Sequence, residues 1–306
     1  MINFCKNKTW YLCISAVIFI IGIAFIFING VQLDIQFTGG TKITYAYTGD
    51  IDIDAAKTTI EGATDRIVST QKSTSSVDGV NSLVVSLAGK ESLSTEELEA
   101  IDKAIMTAYA DNEVARESTT NVEPYIGNRF LRRGITAVAL AILLIIVFVT
   151  IRFKLISGFS ASVCALIALF HDVFVIFFVF VIMGIPLNDG FIAVILTILG
   201  YSVNDTLVIY DRIRENKKIN GDKMELTQLV NLSVNQCFRR CIFTSILTFT
   251  AMFLVFLFAL INNIPSVVNF ALPLMIGILS GCYSSICLAT PIWVTWQNAK
   301  RKNAAK

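Results

Sequence analysis

Charged residues are scarce in this sequence. Asp, Glu, Lys and Arg together make up 16% of its 306 residues, whereas hydrophobic residues make up 55%. Soluble domains have about 25% charged and about 45–50% apolar residues. The composition therefore excludes an ordinary cytosolic protein, a disordered chain and a collagen-like protein.

Residues that bind metals or form disulfides are few and scattered. The chain has one histidine, and its seven cysteines lie in or beside the apolar segments. Disulfide frameworks and cysteine metal sites need regularly spaced pairs, so we interpret the cysteines as small apolar side chains. The sequence also lacks a phosphate-binding loop, a dinucleotide fingerprint and a nucleophile elbow. We expect no enzyme activity, no metal site, no cofactor and no nucleic-acid partner.

Six segments are long and apolar enough to cross a bilayer, which takes about 20 residues per helix. They are residues 10–28, 134–151, 155–185, 191–210, 241–261 and 270–293. The first apolar run is too long for a cleaved signal peptide and no small-residue cleavage site follows it, so we interpret it as a retained anchor helix. The expected fold class is an α-helical polytopic membrane protein with six transmembrane helices.

Basic residues in the short connections predict the orientation, because such residues concentrate on the cytoplasmic side. Four clusters share one side if there are six spans: Lys6 and Lys8; Arg152 and Lys154; Arg212, Arg214, Lys217 and Lys218; Lys300, Arg301 and Lys302. Both termini are thus expected in the cytoplasm. Arg129, Arg132 and Arg133 depart from the rule, but they end a segment of about a hundred residues, and long segments are translocated largely regardless of charge.

The segment between the first two spans has a different composition. Residues 31–128 contain 16 acidic and 7 basic residues and neither cysteine nor tryptophan. Strand-like patterns occupy 42–47, 81–87 and 116–123, and helical patterns occupy 53–68 and 94–109. Ser94 and Glu97 have the spacing of a capping box. We predict a small extracytoplasmic α+β domain of the ferredoxin-like type.

The predicted organisation follows from these segments. It consists of a cytoplasmic N-terminus at 1–9, a transmembrane helix at 10–30 and the extracytoplasmic domain at 31–130. Five further transmembrane helices occupy 131–299 and include a cytoplasmic loop at about 211–239. A basic cytoplasmic tail follows at 300–306.

One acidic residue lies within the fourth apolar segment. Charged groups inside a membrane are costly and usually face the interior of a helix bundle. Asp205 shares a helix face with Tyr201 and Arg212, and Arg240, Thr244 and Thr248 form a polar stripe on the fifth segment. Two interpretations remain open: a structural ion pair that fixes helix packing, or a carboxylate that changes its partner or its protonation.

Polar or small residues in other spans also have two interpretations. The adjacent His171 and Asp172 point about 100° apart on a helix, and they are either proton carriers or a packing pair. Gly277 and Gly281 have the spacing of a close helix contact, with Ser284 and Ser285 beyond them.

Outside the spans, Gly39 and Gly40 predict a tight turn that could serve as a hinge.

Five separated motifs give the chain a specific resemblance. They are FTGGT at 37–41, HD at 171–172, GYSVNDT at 200–206 followed by YDRIREN at 210–216, NQ at 235–236 with Arg240 and Thr244-Ser245, and GCYSS at 281–285. Together they resemble the motifs of the SecF family of bacterial membrane proteins. The resemblance extends over nearly the whole chain.

The resemblance implies a six-helix half of a transporter of the resistance-nodulation-division (RND) type. It implies pairing with the sister subunit SecD, work with the SecYEG channel and its associated membrane subunits on an unfolded preprotein, and contact with membrane lipid. By position, Asp205 matches the family's membrane carboxylate and Arg240 its partner in ion coupling. The polar residues expected to support them are Asn204, Tyr201, His171, Asp172 and Thr244.

The function implied is an accessory role in protein export. The chain is expected to use the proton or sodium motive force in late steps of preprotein translocation across the cytoplasmic membrane of a bacterium. Two alternatives remain: a related half-transporter that exports lipid or small molecules, and a non-transporting scaffold of the translocase.

Overall fold

The computed structural model describes residues 2–64, 68–74, 81–88, 93–220, 223–262 and 264–304. Ten α-helices and four strands occur in this part of the chain. In order they are α1 (Lys8–Asn29), α2 (Ile35–Thr38), β1 (Gly40–Tyr47), α3 (Ile53–Ala63), β2 (Val68–Thr74), β3 (Asn81–Ala88), α4 (Thr95–Ala108), β4 (Ala115–Val122), α5 (Pro124–Arg152), α6 (Gly158–Ile182), α7 (Asp189–Asn220), α8 (Leu226–Ile261), α9 (Pro265–Ser284) and α10 (Thr290–Ala304).

Six helical spans in the described residues are long and apolar enough to cross a membrane. They are α1, α5, α6, α7, α8 and the combined α9–α10, in which a π-helical turn at Ser285–Ala289 joins the two helices. Each span contains most of one predicted apolar segment. A single strong hydropathy signal per helix is sufficient to locate membrane spans.

The four strands form one antiparallel sheet between α1 and α5. Its strand order is β2-β3-β1-β4, and the element order βαββαβ is that of ferredoxin-like domains. Alternate residues of β1 and β3 face α3 and α4, and Ile43, Leu83, Val85, Ile101 and Ile105 have no exposed surface. This small apolar core holds the domain together.

The domain differs from the prediction at its second strand. The helix predicted for 53–68 ends at Ala63, and Val68–Thr74 forms a strand that pairs with β3. This strand lies at the edge of the sheet and has the polar sequence VSTQKST, so it lacks the apolar alternation that marks a half-buried strand.

Three hydrogen bonds stabilise α4 of the domain. The Ser94 hydroxyl accepts from the Glu97 amide at 3.2 Å and the Glu97 carboxylate accepts from the Ser94 amide at 2.9 Å, which confirms the predicted capping box. The Tyr45 hydroxyl donates to Asp102 at 2.8 Å. Burial and this hydrogen bond raise the pKa of Tyr45, so the phenol remains neutral well above pH 7.

The chain enters and leaves the sheet at neighbouring positions. Gly40, the first residue of β1, pairs with Val122, the last residue of β4. Glu123 and α5 follow directly. Both connections between the domain and the membrane helices therefore start from one corner of the sheet.

The predicted cytoplasmic loop at about 211–239 is mostly helical. Helix α7 continues to Asn220 and α8 begins at Leu226. The extensions are joined by Arg212, whose Nε donates to Gln236 at 2.6 Å, and by Asn216, whose amide donates to Ser233 at 2.8 Å. Their polar composition resembles that of a loop, but these contacts keep both segments helical.

The described parts of the predicted N-terminal and C-terminal segments, residues 2–9 and 300–304, are packed against the bundle or helical. Phe4 is buried against the bundle, and the backbone of Ile2 exchanges two hydrogen bonds with the Asn235 side chain of α8. Helix α10 continues through the basic cluster to Ala304, so most of the predicted tail at 300–306 is helical.

Helices α7 and α9 approach each other closely at glycines. A Cβ atom on Gly277 would lie 2.8 Å from Ile198, and one on Gly281 would lie 3.1 Å from the Ser202 Cβ. This confirms the predicted packing role of the two glycines. The close approach brings the serines that follow on α9 against α7.

Candidate functional site

Asp205 faces the interior of the bundle from α7. Only 2% of its surface is exposed, and its Oδ2 atom is buried without a hydrogen-bond partner in the described residues. The Ser245 hydroxyl of α8 is the hydrogen-bonding group beside it, and Arg240 is the charged residue that acts on it. The carboxylate is therefore desolvated and incompletely hydrogen-bonded.

Arg240 lies one turn before Ser245 on α8 and is exposed. No nitrogen of Arg240 comes within 4.0 Å of a carboxylate oxygen among the described residues, so the two groups interact at longer range without an ion pair. The predicted pairing of Asp205 with Arg240 is thus not formed as a direct contact in this conformation.

The expected supporting residues separate into two groups. The Tyr201 hydroxyl donates to Ser245 at 3.0 Å, which places Tyr201 and Asp205 beside the same serine. Asn204 and Thr244 are exposed on the outside of the helices, and the Thr244 hydroxyl donates to the Arg240 carbonyl of its own helix at 2.9 Å. The structure therefore brings Tyr201 to Asp205 but leaves Asn204 and Thr244 outside.

A second carboxylate, Asp172 on α6, is fully buried. Three serine hydroxyls donate to it: Ser202 at 2.7 Å from α7, and Ser280 at 2.6 Å and Ser284 at 2.7 Å from α9. Such charge-assisted hydrogen bonds are stronger than those between neutral groups. Asp172 joins α6, α7 and α9 at one point.

His171 lies between this cluster and α1. Its Nδ1 lies 3.3 Å from Asp172, and its ring lies 5.8 Å from the rings of Phe19 on α1 and Tyr283 on α9. The Nε2 atom is buried without a hydrogen-bond partner in the described residues. His171 thus connects the Asp172 cluster to α1.

The two carboxylates lie on opposite sides of α7. Tyr201 and Asp205 face α8, whereas Ser202 and Thr206 face Asp172 and α9, where the Thr206 hydroxyl lies 2.9 Å from that of Ser285. Helix α7 is therefore the element that the two sites share.

Ser202, Ser245 and Ser284 lie in the motifs noted in the sequence, but their contacts with Asp172 and Asp205 were not predicted, and Ser280 was not noted at all. In an apolar segment a serine resembles any other small packing residue. The spacing of Ser280 and Ser284, four residues apart on one helix face, was the available signal.

The turn after α1 connects the bundle to the domain. Asp34 caps the short α2 through the Gln36 amide at 2.9 Å, and Gly39 ends it with φ 79°. A Cβ atom on Gly127 of α5 would lie 2.9 Å from the Phe37 carbonyl oxygen and the Gly39 nitrogen. The predicted turn residues are therefore packed directly against the start of α5.

The linker before α2 is also bound to the connection between α6 and α7. The Asp34 amide donates to the Leu187 carbonyl at 3.0 Å, and the Leu187 amide donates to the Gln32 carbonyl at 2.9 Å. Leu33 and Leu187 thus form a short parallel bridge. This bridge gives the start of α7 a direct contact with the domain linker.

The chemistry available to this site is the binding and release of a cation by a carboxylate. No group of three or more His, Cys, Asp or Glu residues within the described ranges is placed to hold a metal ion. A buried carboxylate with an unsatisfied oxygen gains stability from a proton or a monovalent cation, because desolvation disfavours its free charged form.

Comparison with known proteins identifies the family. The model of the family described as protein export membrane protein SecD/SecF, C-terminal, matches residues 102–299. The SecF subunit of Petrotoga mobilis is 29% identical over 98% of both chains. That of Alicyclobacillus acidocaldarius is 31% identical over 98% of this chain and 94% of its own length.

Larger fused relatives match as well. SecDF of Bacillus subtilis is 30% identical over 98% of this chain, which spans only 39% of that protein. The crystal structure of SecDF from Thermus thermophilus, a translocon-associated membrane protein, superposes with a TM-score of 0.78 at 26% identity and covers 97% of this chain and 39% of its own. The chain therefore belongs to the SecD/SecF family of protein export membrane proteins, within which it aligns along its length with SecF.

Proposed function

We propose that this chain is an accessory subunit of the Sec protein translocase that uses the proton or sodium motive force, together with SecD, to promote late steps of preprotein export. The observation that carries the proposal is Asp205, a carboxylate with 2% exposure and an unsatisfied oxygen inside a membrane-spanning helix. Such a group is costly in a membrane and is typical of an ion pathway.

The proposed arrangement follows the relatives and the charge pattern. The named relatives are SecF and SecDF subunits, and the fused proteins join a SecF-like part to a longer chain, which supports SecD as the partner here. The basic clusters favour cytoplasmic termini, so the domain at 31–130 lies outside the cytoplasmic membrane of a bacterium. SecYEG and an unfolded preprotein are the proposed further partners.

The exposed polar side of α8 supports the association with SecD. Arg240 and Thr244 lie on a helix that is otherwise rich in lipid-exposed apolar residues. A charged side chain is unfavourable against lipid, so a protein partner is the favoured neighbour of this side. In that arrangement Arg240 lies at the contact with SecD, whereas Asp205 remains buried between α7 and α8.

Ion binding would act through the balance between two conformations. A cation bound to Asp205 removes its net attraction to Arg240, and a ligand that favours one conformation shifts the population toward it. Each elementary charge that crosses the membrane supplies about 2.3 kcal/mol per 100 mV. One or two such charges would thus supply about 2–5 kcal/mol per 100 mV toward a movement of α7 against α8.

The route from α7 to the domain has two branches. One runs from the Asp172 cluster through His171 to Phe19 on α1. The other runs from the start of α7 through Leu187 to the linker at Leu33. Both branches end at the segment that enters β1.

The test is to replace Asp205→Asn and measure export driven by an ion gradient in membranes that also contain SecD. We expect late export to fall to the level seen after the gradient is collapsed. The matched control is Asp189→Asn, because Asp189 is an exposed carboxylate at the first residue of the same helix. Replacement of sodium by potassium in the same assay distinguishes a sodium gradient from a proton gradient.

Full gradient-dependent export by the Asp205→Asn variant would contradict the proposal. Together with an export defect on deletion of the subunit, that result would favour a non-transporting scaffold of the translocase.

A second candidate function has one observation in its favour. A cavity of about 290 Å³ lies between α5 and α7 and has an almost entirely apolar lining, which includes Phe37, Ile135, Val138 and Phe191. An RND-type exporter of lipid or small molecules would use such a cavity. Transport of a lipid by the chain in the absence of SecD and of the Sec channel would support this alternative.

A further inference from the structure

Three arginines at the start of α5 have no function in the mechanism above. Arg129, Arg132 and Arg133 are exposed, and within the described residues none of their side chains takes part in a hydrogen bond, an ion pair or a ring contact. The preceding domain carries 16 acidic and 7 basic residues. Acidic groups are therefore present in the same chain, yet none of those described neutralises these arginines.

The arginines lie on one side of the helix. At 100° per residue, Arg132 and Arg133 lie about 60° and 40° to either side of Arg129, so all three occupy a sector of about 100°. They line a shallow, open groove of about 650 Å³ that is formed by side chains of α5 alone and extends from the exposed Tyr125 to Ala137 and Leu140. The groove is thus basic at one end and apolar at the other.

The depth of this groove corresponds to the membrane boundary. The apolar run of α5 begins at Ile135, six residues after Arg129, which is about 9 Å along the helix. Tyr125 and Phe130 are exposed at the same level, where aromatic residues are typical of the interface between lipid and water. The arginines therefore lie at the level of lipid headgroups and the apolar end lies at the level of acyl chains.

We propose that Arg129, Arg132 and Arg133 bind the phosphate of an anionic phospholipid in the leaflet on the side of the domain. A guanidinium group binds phosphate through two parallel hydrogen bonds, which suits arginine better than lysine. The apolar end of the groove contacts the first part of an acyl chain. Inorganic phosphate has no apolar part that could contact this end of the groove. A phospholipid, which has both a phosphate and acyl chains, is therefore the favoured ligand.

The test uses the full chain purified in a mild detergent, with phosphatidylglycerol or phosphatidylcholine of identical chains added and bound lipid measured by native mass spectrometry. We expect tighter binding of phosphatidylglycerol. The triple variant Arg129→Gln, Arg132→Gln, Arg133→Gln should weaken it by about a hundredfold, because each basic residue near an anionic surface contributes about a fivefold factor. Phosphatidylcholine binding should not change.

The matched control is Lys300→Gln, Arg301→Gln, Lys302→Gln, which removes the same charge from the exposed end of α10. It should reduce phosphatidylglycerol binding less than threefold. A variant with lysine at all three α5 positions should retain part of the affinity, which separates lost charge from lost guanidinium geometry. An unchanged thermal unfolding midpoint shows that each variant is folded.

Four outcomes would overturn the proposal. The glutamine variant could bind phosphatidylglycerol as tightly as the parent chain, or the control could lose as much affinity as the α5 variant. Inorganic phosphate at millimolar concentration could displace the lipid, which would indicate a phosphate site without a lipid. The α5 variant could also retain the lipid but lose co-purifying SecD, which would assign the arginines to a protein contact.

Discussion

Asp172 and Asp205 lie in the same bundle but have different surroundings. Asp172 accepts hydrogen bonds from three serines on two helices, whereas one oxygen of Asp205 is buried with no partner in the described residues. A buried charge with complete hydrogen bonding favours a single arrangement, and an incompletely bonded one is sensitive to any added proton or cation. We therefore expect Asp172 to fix helix packing and Asp205 to respond to ions.

The replacement Asp172→Asn tests the first of these roles. The amide has the same shape but loses the negative charge that strengthens three hydrogen bonds, each worth about 1.5–3 kcal/mol when one partner is charged. We expect a loss of about 2–4 kcal/mol, observed as a thermal unfolding midpoint at least about 5 °C lower for the full chain in detergent.

Asp111→Asn is the control for this substitution, because Asp111 is an exposed residue of the domain. It should leave the midpoint unchanged. An Asp172→Asn chain as stable as the parent would show that the negative charge of Asp172 does not stabilise the contacts among the three helices.

At this scale the sequence predicted the position of Asp205 but not its contacts. A lone acidic residue in an apolar segment is a strong signal, whatever surrounds it. The direct neighbour, Ser245, and the separation from Arg240 depend on how α7 and α8 are rotated and shifted relative to each other. Helical periodicity gives the face of one helix and does not give that offset.

The helices differ in how firmly they are held in the bundle. Helix α1 is mostly exposed, and it contacts α6 at Phe19 and Gly22 and through Asn29, whose side-chain amide donates to the last carbonyls of α6. A Cβ atom on Gly22 would overlap the ring of Phe178. A small residue is therefore required at this crossing, as is common where membrane helices approach closely.

The replacement Gly22→Ala should destabilise the chain through this crossing. Overpacking costs about 1–3 kcal/mol, so we expect the thermal unfolding midpoint in detergent to fall by several degrees. Gly200→Ala on α7 is the control, because no atom lies within 4 Å of its added Cβ. Alanine is also the better helix former, so this variant should be as stable as the parent or slightly more stable.

Equal effects of the two substitutions would contradict this prediction, because they would show that the crossing of α1 and α6 accommodates a Cβ atom at Gly22.

Element boundaries were predicted well where hydropathy marks them and poorly where it does not. Five of the six apolar segments are helical throughout and the third, at 155–185, extends about three residues past each end of α6, but the extensions of α7 and α8 past the apolar runs were interpreted as a loop. Charged and amide residues there, such as Arg212 and Asn216, suggest solvent exposure, while their partners Gln236 and Ser233 are about twenty residues away in sequence. Contacts at that distance are not visible in a local pattern.

The whole molecule combines a helix bundle with a small domain through a compact junction. The bridge between Leu33 and Leu187 places the linker after α1 beside the connection between α6 and α7. Only the helix bundle contains the candidate ion site, so any effect on the domain must cross this junction or pass along α1 and α5. The junction is therefore the place to interrupt the proposed transmission.

A double substitution Leu33→Cys, Leu187→Cys tests whether the junction must open during function. We expect oxidation to join the two positions and to abolish gradient-dependent export in membranes containing SecD, and a reducing agent to restore it. The two variants that each carry only one of these substitutions, Leu33→Cys or Leu187→Cys, should remain active under oxidising and under reducing conditions. Undiminished export by the oxidised double variant would mean that this bridge remains closed throughout the cycle.

At the scale of the domain, composition and alternation predicted an α+β unit in the right place and missed one of its four strands. The omitted strand β2 is held by seven residue pairs with β3. Those pairings depend on the partner strand and not on the strand's own composition, and edge strands commonly have polar sequences.

The pairing of Gly40 with Val122 has a mechanical consequence. The sheet is connected to the membrane helices at this one corner, which can serve as a pivot. Strand β1 extends away from the corner for eight residues, or about 26 Å. A tilt of about 10° at that pivot carries the far end of β1 through about 5 Å, roughly the spacing between adjacent strands. In the proposed mechanism, a small rotation of the two helices attached at this corner would therefore produce a displacement of this size at the far end of β1.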